Sequence, residues 1–219
     1  MIPPSAQSWT YAQNLIGEDQ VLTQAREAAE EKKIPALSPG GGAFLRFLAS
    51  SNDASNVVEV GTGVGISGVW LLRGMNPAGV LTSIDQDAQA QRTAKEIFLK
   101  AGIELTRTRL ITGKALEVVS RLTDKAYDLI LVAGDKLEYE SLLEESTRLL
   151  RPGGILVFDN ALNQDRVSNP RQLDAETIAI RNVGEKIRED ERFISVLVAN
   201  ADGLLAAIYR PERATTLGA

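Results

Sequence analysis

The chain has 219 residues, of which 44% are hydrophobic and 24% are charged, and these proportions predict one globular domain with a substantial core. Its formal net charge of −5 argues against a nucleic-acid partner, which usually meets a basic surface. The lack of cysteine and histidine excludes disulfides, thiolate nucleophiles and a histidine base. A base acting near neutral pH is therefore a Lys, Asp, Glu or Tyr, and a metal would need oxygen ligands.

The beginning of the chain gives no sign of a targeting or membrane segment. Residues 1–15 lack a basic flank followed by an apolar core, and no apolar run approaches the roughly 20 residues that a membrane span needs. We therefore expect a cytoplasmic protein with no membrane partner. Helical patterns follow over 5–30 and over 38–49.

The middle of the chain alternates between short β-rich runs and helix-length segments. The runs cover 56–60, 79–85, 107–113, 127–134 and 153–160, and the helical segments cover 66–75, 87–101, 114–123 and 138–150. Such alternation indicates βαβ units and a doubly wound, mostly parallel α/β sheet with helices on both faces.

The last part of the chain predicts an addition to that sheet. An amphipathic helix over 174–190 precedes two apolar runs, 192–200 and 203–210. Asp202-Gly203 between the runs is a strong hairpin signal. The sheet is therefore expected to have seven strands and to end in a C-terminal antiparallel hairpin.

A glycine-rich loop follows the first predicted strand. Gly61, Gly63 and Gly65 come straight after residues 56–60, and Ser67 begins the next helix. Glycine lets the backbone turn sharply and lets a ligand approach without a Cβ in the way. Asp85 ends the second strand, at about the offset where an acid binds both hydroxyls of a ribose. Strand, glycines and acid together predict a site for a nucleoside cofactor.

Two cofactor classes compete for this loop. Gly63-x-Gly65-x-x-Gly68 matches the nicotinamide dinucleotide fingerprint, but it begins two residues late for a turn that leaves the strand at Val60. Glu59-x-Gly61-x-Gly63-x-Gly65 resembles the first motif of class I S-adenosylmethionine-dependent methyltransferases. Their cofactor has a cationic amino-acid end that suits a carboxylate, and they too close the sheet with an antiparallel hairpin. The resemblance favours a Rossmann-like methyltransferase fold, with an NAD(P)-dependent oxidoreductase as the alternative.

Six segments narrow the resemblance, and together they cover nearly the whole chain: "LSPGGGAFLRFLA", "VVEVGTGVGISGVWLL", "LTSID", "YDLILVAGDKLEY", "LLRPGGILVFDNAL" and "DGLLAAIYR". Their order and spacing resemble those of the cation-dependent O-methyltransferases, which include catechol and caffeoyl-CoA O-methyltransferases. The resemblance implies methyl transfer from S-adenosylmethionine to a hydroxyl of a small phenolic or catechol-like acceptor. It also implies a homodimer and a single domain over 1–219, with an N-terminal helical segment (1–37) and a cofactor-binding core (38–219).

The resemblance carries cofactor-binding roles to eight positions: Leu37, Glu59, Gly61, Thr62, Gly63, Ser67, Asp85 and Ala115. Leu37 and Ala115 correspond to positions that contact the cofactor through the backbone. Residues of these types are equally common where they serve only hydrophobic packing. Asp85 corresponds to the acid that binds the ribose.

The resemblance also implies a catalytic base and a metal site. At the metal site, the sequence departs from the family pattern. Lys136 matches the lysine that removes the acceptor proton. Asp159 and Asn160 match two ligands of a divalent cation, usually Mg²⁺, that acts as Lewis acid and template. The family's third ligand, an Asp that ends the fourth strand, is replaced by Ala133.

Three arrangements are open at the metal site. Asp135 replaces the missing ligand, or water fills the gap in a weak site, or the enzyme works without metal. We expect weak or absent metal. A homologue that binds cofactor but has lost activity is a further alternative, and residues 163–174 fall where the family places a loop over the substrate.

Overall fold

The computed structural model describes residues 5–212, so both ends of the predicted domain, 1–4 and 213–219, lie outside the described residues. Its sheet has seven strands in the order β3-β2-β1-β4-β5-β7-β6. The strands are β1 (Asn56–Val60), β2 (Val80–Asp85), β3 (Thr108–Thr112), β4 (Tyr127–Val132), β5 (Leu150–Phe158), β6 (Phe193–Val198) and β7 (Leu204–Tyr209). Strands β1 to β5 pair in parallel, whereas β7 runs antiparallel to both β5 and β6. The predicted doubly wound sheet and its terminal hairpin are confirmed.

Eight α-helices are present within residues 5–212. They are α1 (Ala6–Asn14), α2 (Gln20–Glu31), α3 (Pro39–Ser51), α4 (Ile66–Gly74), α5 (Ala88–Lys100), α6 (Ala115–Val119), α7 (Tyr139–Leu149) and α8 (Ala175–Glu189). Ser38 caps α3 by accepting from the N–H of Gly41, with Pro39 in the first turn, as the Ser-Pro sequence favours. Each helix is too short or too polar to span a bilayer within this part of the chain.

Two element boundaries differ from the prediction, and both differences have a tertiary cause. The helix expected over 114–123 ends at Val119, where Arg148 of α7 donates to the carbonyls of Val119 and Leu122. The strand expected to begin at 153 begins at Leu150, because Leu150 pairs with Tyr127 ahead of a register shift in the β4–β5 ladder.

Helices cover both faces of the sheet, so the central strands are buried on both sides. Along β4, Leu129 and Leu131 belong to one apolar cluster, while Ile130 and Val132 belong to the other. Burial of each such side chain contributes roughly 1.5–3 kcal/mol. On the first face, Trp70 of α4 is 2% exposed and packs against α3 at Gly42. Trp70 is therefore a core residue.

The carboxyl ends of the central strands meet at one edge of the sheet. Backbone hydrogen bonds continue one residue beyond the strands: Gly61 N–H donates to Ile84 O at 2.8 Å, Ala133 N–H to Val60 O at 2.8 Å, and Asp159 N–H to Val132 O at 2.9 Å. These bonds hold the glycine loop and the residues that follow β4 and β5 side by side. Ligands bind at this edge in open α/β sheets.

Candidate active site

A cavity of about 600 Å³ opens at this carboxyl edge. Of the predicted site residues, eleven line it: Leu37, Gly61, Thr62, Gly63, Ser67, Asp85, Ala115, Asp135, Lys136, Asp159 and Asn160. Glu59 does not line the cavity, because it lies beneath the glycine loop and is 0% exposed. The structure thus brings the predicted cofactor residues and the predicted acceptor residues to one connected space.

The glycine loop is shaped by close backbone contacts. Gly61 has a φ of +94°, and a Cβ at this position would lie 2.7 Å from the carbonyl oxygen of Ala133. Gly63 donates its N–H to Asp85 Oδ2 at 2.9 Å. Gly65, also left-handed, begins α4 without a side-chain cap. The first amides of α4 therefore remain available to an anionic group, such as the carboxylate of an amino acid.

Glu59 is the centre of a buried polar cluster under this loop. Ser67 Oγ donates to Glu59 Oε1 at 2.5 Å, and Ser83 Oγ donates to Oε2 at 2.5 Å. Thr62 Oγ1 lies 2.7 Å from Ser83 Oγ and extends the cluster. Burial raises the pKa of Glu59 to about 7, against the two serine hydroxyls that lower it, and the charge of Asp85 raises it further. Glu59 thus fixes the direction of the Ser67 hydroxyl at the cavity wall.

Asp85 holds two neighbouring backbone segments at the cavity. Besides the bond from Gly63, its Oδ1 accepts the N–H of Asp87 at 2.9 Å. The carboxylate is half-buried at the end of β2 and borders the cavity. A carboxylate in this place can accept from two adjacent hydroxyls, which is the geometry that a ribose presents.

Leu37 and Ala115 both border the cavity. The carbonyl of Leu37 accepts from Arg26 Nη2 at 2.9 Å, and the same guanidinium pairs with Glu18 at 2.6 Å. The Arg26 contact fixes the segment between α2 and α3 over the glycine loop. Ala115 is the first residue of α6.

The other end of the cavity is built around Asp159. Its Oδ1 accepts the N–H of Asn160 at 2.8 Å, and its carbonyl accepts from the Tyr139 hydroxyl at 3.0 Å. Burial raises the pKa of Asp159 to about 6. The Asn160 N–H and the charge of Lys136 lower this pKa, whereas the charge of Asp202 raises it. Lys136 and Asp202 line this end of the cavity together with Asp159.

Asp202 is a site residue that the sequence did not reveal. It lines the cavity from the β6–β7 turn, where Asn160 Nδ2 donates to its Oδ2 at 3.0 Å and Gln164 N–H donates to its Oδ1 at 2.5 Å. The sequence marked Asp202 only as a hairpin residue. Its role depends on the pairing of β7 with β5, which carries the turn to the end of β5.

The predicted metal ligands do not form a complete set. Ala133 offers no side-chain oxygen, and Asp135 is an exposed residue whose Oδ1 accepts the N–H of Leu137 and caps a 3₁₀ turn over Lys136–Glu138. No group of three or more His, Cys, Asp or Glu side chains is arranged to hold a metal ion in the described part of the chain. The donor set does not fit a tightly held divalent cation.

The loop after Asn160 is tied down by one side chain of α8. The guanidinium of Arg181 donates to four backbone carbonyls, those of Arg166 (2.9 Å), Val167 (3.0 Å), Asn169 (2.5 Å) and Gln172 (2.7 Å). Arg181 therefore holds the segment over 163–174 in a defined shape next to the acceptor end.

The alternative dinucleotide fingerprint coincides with the cavity only at Gly63, which both patterns share. Gly68, which belongs to the dinucleotide fingerprint alone, does not line the cavity. A Cβ on Gly68 would lie 2.7 Å from Cζ of Phe98, so this glycine serves the packing of α4 against α5. The geometry favours the pattern that begins at Glu59.

Comparison with known proteins shows similarity along nearly the whole chain. A family model described as O-methyltransferase matches residues 12–209. A putative O-methyltransferase of Mycobacterium sp. (strain JLS) is 46% identical over 197 residues, which cover 90% of this chain and 90% of that protein. A probable O-methyltransferase of Mycobacterium tuberculosis is 44% identical over 200 residues, or 91% of this chain and 89% of the relative.

Solved structures agree with the sequence matches. A protein of Corynebacterium glutamicum superposes with a TM-score of 0.87 at 28% identity, over 94% of this chain and 98% of that one. The O-methyltransferase TomG of Streptomyces achromogenes, which is involved in tomaymycin synthesis and was solved with S-adenosylmethionine, superposes with a TM-score of 0.83 at 25% identity. That match covers 95% of this chain and 100% of TomG.

Proposed function

Because the chain belongs to the O-methyltransferase family, we propose that it transfers the methyl group of S-adenosylmethionine to a hydroxyl of a small phenolic or catechol-like acceptor. The observation that carries the proposal is the single cavity that joins the glycine loop and Asp85 at one end to Lys136 and Asp159 at the other. A methyl donor at the first end would face an acceptor at the second.

Each proposed cofactor residue is assigned to one part of S-adenosylmethionine. Gly61, Thr62, Gly63 and Ser67 border the space for the amino-acid portion, and Glu59 supports them from beneath. Asp85 suits the ribose. Leu37 and Ala115 border the cavity through positions where the backbone can contact the cofactor.

In the proposed reaction, Lys136 is the base. A lone pair of the acceptor oxygen forms the bond to the methyl carbon, the carbon–sulfur bond breaks, and its electron pair stays on sulfur to give S-adenosylhomocysteine. The hydroxyl proton passes to the Lys136 amine. The resulting ammonium is stabilised by Asp159, whose carboxylate interacts with the Lys136 charge. Each of these steps is assigned to side chains of the protein, and none uses a metal.

A labelled-methyl transfer assay tests this function. Protein, methyl-labelled S-adenosylmethionine and a panel of catechols and hydroxycinnamoyl esters are incubated together, and the label recovered in the acceptor is counted. The matched control is Lys136→Arg, which keeps a cation but cannot accept the proton because guanidinium stays protonated. Transfer above this control is expected for at least one acceptor. Transfer to none of them, by a protein that binds S-adenosylhomocysteine, would instead identify a homologue without activity.

We also propose a single domain over 1–219, a cytoplasmic location and a homodimer. The dimer is supported by exposed apolar residues on and after α1, among them Trp9, Tyr11 and Leu15, since α1 buries none of its own residues. Light scattering on the purified protein would measure the mass directly. A monomer at all concentrations would contradict the homodimer.

A further inference from the structure

We infer that this chain transfers the methyl group without a tightly bound divalent cation, at an acceptor end where Asp202 holds Asn160 and the loop after it. The inference rests on the proposed function for its chemistry, while its main measurement is independent of turnover. It follows from the hydrogen bonds that each candidate oxygen ligand already makes.

At the end of β4, where the family has an Asp, this chain has an alanine, whose side chain offers no oxygen. Ala133 follows β4, between Gly61 on one side and Asp159 on the other, and is half-buried at the cavity wall. Asp135 does not restore the missing oxygen. Asp135 is exposed at the mouth of the cavity, and its Oδ1 accepts the N–H of Leu137 and caps the 3₁₀ turn.

The charge of Asp202 raises the pKa of Asp159, but the two oxygens of Asp202 accept hydrogen bonds from other residues. One accepts the amide of Asn160 and the other accepts the backbone N–H of Gln164. Both bonds hold left-handed backbone in place, because Asn160 has a φ of +54° and Gln164 one of +54°. Most non-glycine residues adopt this conformation at an energetic cost, so the bond to Gln164 in particular stabilises an unfavourable local shape. Asp202 is thus a positioning residue for Asn160.

The oxygens left for a cation are few. Among the predicted ligands, the side-chain oxygens that accept no hydrogen bond from residues 5–212 are Asp159 Oδ2, Asn160 Oδ1 and Asp135 Oδ2, and the last belongs to an exposed side chain. Mg²⁺ requires six oxygens in near-octahedral geometry, and losing one carboxylate from a small ligand set weakens its binding.

The test is a titration with Mn²⁺ alone, followed by electron paramagnetic resonance of the free ion. We compare the natural chain with Ala133→Asp, which restores the carboxylate, and with Ala133→Asn, which has nearly the same size and no charge. The natural chain and A133N are expected to bind Mn²⁺ with a Kd of about 1 mM or weaker, whereas A133D is expected to bind it at least about tenfold more tightly. Thermal unfolding of each protein verifies that all three are folded.

Two outcomes would overturn the inference. The first is evidence of a metal in the natural chain. That evidence would be Mn²⁺ binding at micromolar concentration, or methyl transfer that is mostly lost in EDTA and restored by Mg²⁺. The second is A133D that folds and yet binds Mn²⁺ no better than A133N. A natural chain that fails to bind S-adenosylhomocysteine would contradict the proposed function alone, so the two failures are distinguishable.

Discussion

The buried carboxyl of Glu59 makes the stability of the protein depend on pH. Glu59 is 0% exposed, and within residues 5–212 its two oxygens accept from the hydroxyls of Ser67 and Ser83 alone. No positive charge in this part of the chain offsets the effect of burial on its pKa. Replacing Glu59 with Gln keeps the shape of the side chain and removes its ionisation, so we expect the variant to lose the part of the pH dependence that arises at this site.

The size and sign of the effect follow from the two pKa values of Glu59, which are 4.5 in a model peptide and about 7 in the folded protein. Between these values the folded state holds a proton that the unfolded chain has released, so stability falls as pH rises through this window. At about 1.36 kcal/mol per pH unit, the loss from about pH 5 to about pH 8 amounts to about 2.5 kcal/mol. Groups that do not interact with Glu59, Asp159 among them, contribute equally to both proteins and cancel in the comparison.

Urea unfolding of the natural chain and of Glu59→Gln, repeated across that pH range, measures this difference. Glu27→Gln removes an exposed carboxyl from α2 and serves as the control. The free energy of unfolding of the natural chain should fall relative to that of E59Q as pH rises, and E27Q should follow the natural chain. Parallel curves for the natural chain and E59Q would refute the assignment of a raised pKa to Glu59.

Three further variants test separate parts of the site. Asp85→Asn removes a charged acceptor from the proposed ribose position and should weaken S-adenosylhomocysteine binding, measured calorimetrically, by about tenfold or more; unchanged affinity would contradict the role of Asp85. Lys136→Arg should lower kcat by about 10²-fold or more with little change in that affinity, and a kcat near the natural value would contradict a lysine base. Arg181→Leu frees the four carbonyls of the loop, so KM for the acceptor should rise several-fold while cofactor affinity stays constant. The control is Arg188→Leu, which removes an exposed arginine from the same helix. Equal KM values for the two variants would contradict a positioning role for Arg181.

The parts of the fold that local sequence dictates could be predicted. The alternation of β-rich runs with helical segments predicted the sheet, and Asp202-Gly203 predicted the hairpin. Both predictions succeed because neighbouring residues encode side-chain periodicity and turn geometry. The end of α6 could not be predicted in this way. It depends on Arg148, which reaches the carbonyls of Val119 and Leu122 from a different helix.

The site shows the same division. The glycines and Asp85 were recognisable because a glycine loop after one strand and an acid at the end of the next form a known motif, and the structure joins Gly63 to Asp85 directly. The sequence did not reveal that Glu59 would lie under the loop on Ser83, or that Asp202 would hold Asn160. The first contact follows from the pairing of β1 with β2, and the second from the pairing of β7 with β5, so neither is marked by a local sequence pattern.

The central claim, that this cavity binds S-adenosylmethionine as a methyl donor, is tested most directly by calorimetric titration with S-adenosylhomocysteine. The proposed function predicts one ligand per chain with a Kd of about 100 µM or tighter, equivalent to about −5.5 kcal/mol, and no comparable heat with NADH. Folded protein that gives no heat with S-adenosylhomocysteine at millimolar concentration, or that binds NADH instead, would contradict it.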